Sequence, residues 1–89
     1  MENQNYIQNL EIVATELNDT LMMMSIEEGK YFELNSVSKR IWELFENSNS
    51  IINVVNTLLD EFEVSREDCE EQVKHHVDEL FSKKIIIKI

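Results

Sequence analysis

Proline is absent from this chain, glycine and cysteine occur once each, and basic residues are heavily outnumbered. Each shortage excludes something. The lone Cys69 rules out an internal disulfide framework and, with no Cys-x-x-Cys companion, a structural zinc site. With 8 Lys and Arg against 18 Asp and Glu, the net charge of -10 argues against nucleic acid as a partner. Phosphate binding begins with clustered bases. The same charge disfavours anionic membranes and makes a basic peptide, or the basic face of an enzyme, the easier partner. It also keeps a small protein soluble. No apolar run approaches the roughly 18 residues that cross a bilayer. The polar start, Met1 to Gln8, lacks the basic-then-apolar order of a signal peptide, so a cytoplasmic chain is expected.

What is present suffices for one domain: 89 residues, 43% of them hydrophobic. Residues 1–9 carry little pattern and read as a flexible arm, leaving 10–89 as the folded unit. The run LEIVATEL, Leu10 to Leu17, is rich in β-branched residues and is followed by the turn pair Asn18-Asp19. A second apolar run, Thr20 to Ile26, ends at Glu27-Glu28-Gly29. Glycine adopts positive φ at little cost, which suits a hairpin turn returning through Lys30 to Leu34. Three short runs with tight turns predict an antiparallel meander.

The period then changes from two to 3.6. Asn35-Ser36 offers N-cap oxygens to a helix whose stripe is Val37, Ile41, Leu44 and Phe45, widened by Trp42. Asn47 to Ser50 breaks it. Ile51, Val55, Leu58, Leu59 and Phe62 form a second stripe, broadened by Ile52 and Val54. Ser65-Arg66-Glu67-Asp68 has the pattern of a capping box for a third helix bearing Cys69, Val73, His76, Val77, Leu80 and Phe81. Lys83 and Lys84 complement its negative end, and Ile85 to Ile89 reads as a short strand covering the bundle. Strands followed by helices make an α+β domain.

Three segments together carry a family resemblance. Gly29-Lys30-Tyr31-Phe32-Glu33-Leu34-Asn35, then Ile41-Trp42-Glu43-Leu44, then Leu59-Asp60-Glu61-Phe62-Glu63-Val64 resemble the PqqD-like family over about residues 10–87. The resemblance implies a winged helix-turn-helix: a three-stranded antiparallel sheet followed by three helices. It also implies a RiPP recognition element, a protein that binds the leader segment of a ribosomally made, later modified peptide. The leader would add as a strand beside the third strand, in a groove against the third helix. A chain of this size looks like the separate recognition protein of a lasso-peptide system serving a leader peptidase, with partnership to a radical-SAM enzyme as the alternative. Two positions depart from the family pattern. Gln72 stands where an acid is common, and Lys84 stands where a glycine usually follows the third helix, so that helix is expected to end without its glycine cap.

Strand addition agrees with what the residues offer. Lys30 and Glu33 are the only charges on the third strand, and neither charge nor proline guards it further. The expected peptide-binding set is Lys30, Tyr31, Phe32, Glu33 and Leu34 on the strand, with Cys69, Val73, His76 and Leu80 on the third helix. Val77 and Phe81 are assigned to the core. Tyr31 and Phe32 face opposite sides, so only one points inward. The other candidates are weaker. Adjacent His75 and His76 diverge by about 100° on a helix and do not converge on one ion. Cys69 lies in an apolar stripe without a base, and the acids of helices two and three lack calcium-loop spacing. Met22, Met23 and Met24 alternate faces on a strand, and one or two of them belong to the core. No cofactor, metal or catalytic residue is expected, and a monomer is the expected state. The rivals are a winged-helix DNA-binding regulator, opposed by Glu67, Asp68, Glu70 and Glu71 on its recognition helix, and a structural subunit of an enzyme complex.

Overall fold

The computed structural model describes residues 4–18 and 20–89. Its elements in chain order are β1 (Asn5–Gln8), β2 (Ile12–Leu17), β3 (Thr20–Ser25), β4 (Lys30–Leu34), α1 (Ser36–Glu43), β5 (Asn49–Ser50), α2 (Ile51–Glu61), α3 (Arg66–Ser82) and β6 (Ile86–Lys88). The expected meander is present as an antiparallel sheet in the order β2-β3-β4. Leu17 pairs with Thr20 across a connection that opens at Asn18, φ 58°. Asp19, the other half of the expected turn pair, lies outside the described residues. Ser25 pairs with Lys30 across a loop ending at Gly29, φ 64°. Both residues suit the left-handed region that tight hairpins require.

The start of the chain differs from expectation. Residues 1–3 lie outside the described residues, but Asn5–Gln8, read above as part of a flexible arm, is a strand at the centre of a second sheet, β5-β1-β6. The polar composition misleads because amide side chains here bind backbone. Gln8 donates to the Trp42 carbonyl at 2.9 Å and Asn9 to that of Lys84 at 2.8 Å. Just before these anchors Tyr6 is buried, with its ring edge-on to Phe45 and Phe81. Ile86–Lys88, expected as a covering strand, pairs with β1, and Ile85 and Ile86 are fully buried.

All three helices start on capping side chains, Asn35 and Ser65 where proposed above and Ser50 at the end of the polar break. Asn35, Ser50 and Ser65 each accept a hydrogen bond from the backbone N–H three residues on, at 2.9, 3.2 and 3.1 Å. Glu67 and Asp68 occupy the first turn of α3, where acids complement the helix dipole. The core joins Leu21, Met23 and Leu34 from the meander to Ile41, Phe45, Val54, Val55, Leu58, Val73, Val77 and Leu80 from the helical layer. Met23 is the one of the three consecutive methionines fully buried, as strand alternation demands. No helix among the described residues is long and apolar enough to cross a membrane.

Candidate peptide-binding groove

The hydrogen-bond direction of β4 follows from the turns. A two-residue hairpin closes on a hydrogen-bonded pair, so Leu17 and Thr20 bond each other. Alternation along β3 then turns the backbone groups of Thr20, Met22 and Met24 toward β2, and those of Leu21, Met23 and Ser25 toward β4. Their partners across the sheet are Leu34, Phe32 and Lys30. The N–H and C=O groups of Tyr31 and Glu33 therefore point away from the sheet, along an edge that no strand among the described residues occupies. The side-chain faces alternate too. Phe32 and Leu34 share the inner face with Met23 and Leu21, whereas Tyr31 and Glu33 are exposed on the outer face.

Beside this edge, α3 supplies the opposite wall. The Lys83 ammonium lies 5.4 Å from the centroid of the partly buried Phe32 ring, which fixes the end of α3 next to the middle of β4. Farther along, the His76 Nδ1 and Ser38 Oγ are 3.0 Å apart, joining α3 to α1. Burial and the neighbouring His75 push the His76 pKa below its ordinary value, with Glu79 opposing, so the ring is neutral at pH 7. Beyond it an apolar cavity of about 300 Å³ opens between the three helices, lined by Val37, Ile41, Leu58, Phe62, Val64, Cys69 and Val73. Arg40 stands at its rim, pinned by Glu61 and Glu43. Those bonds hold the guanidinium charged and keep the Glu61 carboxyl below its usual range.

The structure divides the sequence-derived site residues. Lys30, Tyr31, Phe32 and Glu33 lie along the open edge, and His76 faces α1 at the groove. Cys69 and Val73 are buried but line the cavity. Leu34 and Leu80 are core residues, 5% and 2% exposed, and support the groove from beneath. Phe81, assigned above to the core, is 38% exposed and packs on Tyr6, with Lys88 over its ring. Its side chain leans toward β1, the strand that sequence reading missed.

Val37 and Phe62, members of the helix stripes above, and Val64, outside the expected binding set, are all exposed at the cavity mouth. The signal for them was position: Phe62 and Val64 follow the end of α2, where no helix can bury them. Cys69 is a buried free thiol. Burial raises its thiol pKa, Arg66 only partly offsets that, and the sulfur approaches the Val55 carbonyl at 3.9 Å. Among the described residues no group of three or more His, Cys, Asp or Glu is placed to hold a metal ion.

Comparison with known proteins agrees with this geometry. Two solved structures match nearly the whole chain. One, TbiB1 in complex with the TbiA(beta) leader peptide, is 24% identical, covers 90% of this chain and 93% of its own, and has a TM-score of 0.79. The other, a lasso peptide synthetase B1 complexed with the leader peptide, is 22% identical, covers 92% and 96%, and has a TM-score of 0.80. At that identity they establish the fold. No curated protein matches the sequence. The family model for coenzyme PQQ synthesis protein D matches residues 20–86, a span that runs from β3 through β6 and includes every residue of the groove, and the chain belongs to that PqqD family.

Proposed function

We propose that this protein is a non-catalytic, cytoplasmic recognition element that binds the leader segment of a ribosomally made precursor peptide. It holds that segment for a leader peptidase or other modifying enzyme, with a lasso-peptide system favoured over a radical-SAM one. The observation that carries the reading is the open β4 edge: outward backbone groups of Tyr31 and Glu33 near the end of α3, on a strand that leads to an apolar cavity beginning at Ser36 and Val37. An extended peptide satisfies those groups whatever its sequence, while the cavity and groove select side chains. The two solved proteins with this fold, each complexed with a leader peptide, support the same use. The DNA-binding alternative is disfavoured because the exposed start of α3 presents Glu67, Asp68 and Glu71, which repel phosphate.

The test is a fluorescence titration of a labelled leader peptide from the precursor gene beside this one. Tyr31→Phe leaves the affinity close to that of the parent. Tyr31→Pro removes the outward N–H and lowers affinity by about tenfold or more, the cost of a lost buried hydrogen bond with strand disruption. Equal affinities for the two folded variants would remove β4 from the binding mode.

A further inference from the structure

Acids exceed bases by more than two to one in this chain, yet one partly buried lysine in the groove has no carboxylate. Lys30 and Lys84 both approach the same acid, Glu28, at 3.9 and 3.4 Å. Arg40, Lys39 and Arg66 pair with Glu61, Glu16 and Glu70. Among the described residues Lys83 has no ion pair, and its ammonium lies over the Phe32 ring. Glu79, one turn earlier on α3, lies instead beside His75 at 4.0 Å. The helix dipole explains a lysine at the end of α3. It does not explain an ammonium seated over an aromatic ring on the inner face of an open strand.

The register of an added strand gives that ammonium a partner. Tyr31 and Glu33 make the outward hydrogen bonds, so a peptide residue opposite Phe32 in an antiparallel addition falls at a non-hydrogen-bonded pair. There the Cα atoms approach to about 4.5 Å and side chains are closest. That residue shares the inner face with Phe32, on the same side as Lys83. We infer that Lys83, with the Phe32 ring, forms a subsite for a carboxylate side chain, so that the bound peptide carries Asp or Glu at the position paired with Phe32. The stem of that residue rests on the ring and its carboxylate meets the ammonium. An antiparallel peptide runs from the apolar cavity near α1 toward the hairpin, so its apolar anchor precedes its acid. The inference rests on the strand-addition reading above and assigns one side chain within it.

The test is selection of a displayed random-peptide library on the intact protein, on Lys83→Met, which keeps the stem over Phe32, and on Lys83→Glu. The parent enriches sequences with an acid downstream of an apolar or aromatic residue. Synthetic copies of those peptides lose about tenfold in affinity on Lys83→Met, as expected for a charge-assisted hydrogen bond. On Lys83→Glu, peptides with the acid changed to lysine recover the loss. If the selected peptides are weakened by Tyr31→Pro but carry no preferred acid, or bind Lys83→Met as tightly as the parent, the carboxylate subsite is wrong and strand addition stands. If Tyr31→Pro leaves them unaffected, both readings fall together.

Discussion

Lys84 shows how a single residue can hold the conformation of another type. The end of α3 is a Schellman motif: the Ile85 N–H donates to the Leu80 carbonyl at 2.9 Å and the Lys84 N–H to that of Phe81 at 3.0 Å. The apolar contact that accompanies such motifs is made by Leu80 and Ile85, both buried. The motif places Lys84 at φ 61°, a region that disfavours a Cβ by about 1–2 kcal/mol. The residue is a lysine, while the backbone takes the conformation that glycine favours. Lys84→Gly therefore relieves strain, partly offset by the greater freedom of glycine in the unfolded chain. The salt bridge it loses, to Glu28, is exposed and contributes little. A net gain of about 0.5–1 kcal/mol is expected, raising the melting temperature by a few degrees in a domain of this size. Calorimetry checks it, and a lower melting temperature would show that the lysine side chain contributes more than its strain costs.

Among the elements, β4 was legible in the sequence and β1 was not, for one physical reason. Gly29, the β-prone run after it and the cap at Asn35 are local signals, and local signals fix where a strand starts and stops. The strand at Asn5–Gln8 depends on Phe45, Phe81 and Ile87, partners far away in the chain, and its own polar residues hide it. A related limit explains Val37 and Phe81: helical spacing gives a stripe but leaves its edges ambiguous by one residue, or about 100°. That is where this protein separates core from groove. The direction of the β4 backbone was recoverable only once the turn lengths fixed the pairing. That direction separates two substitutions one residue apart. Phe32→Pro deletes an N–H that bonds β3 and removes a ring from the inner face, so it lowers the melting temperature sharply. Tyr31→Pro deletes an N–H on the open edge and leaves the melting temperature nearer the parent value. If thermal unfolding placed Tyr31→Pro at or below Phe32→Pro, the assigned edge would be reversed.

Across the whole molecule the charge is uneven in a way that matters for encounter. Extents of 37 × 30 × 19 Å place every surface charge within a few screening lengths of the groove, since the Debye length is about 10 Å at 0.1 M salt. The acids at Asp60, Glu63, Glu67, Asp68, Glu70 and Glu71 gather near the cavity end, whereas at the hairpin end Lys30, Lys83 and Lys84 offset Glu27, Glu28 and Glu33. Such a field attracts the basic portion of a partner and aligns an extended peptide along the groove before contact, an effect on association rate more than on lifetime. For a leader peptide of net positive charge, stopped-flow mixing should show the association rate falling by about tenfold from low to physiological salt. The dissociation rate changes little, because it is set by strand pairing and the apolar cavity. Converting Glu67, Asp68, Glu70 and Glu71 to their amides flattens the salt dependence and lowers the low-salt rate toward that of an unsteered encounter. An association rate in the parent protein that ignores salt would mean the acidic surface serves solubility alone and leaves recognition to the groove.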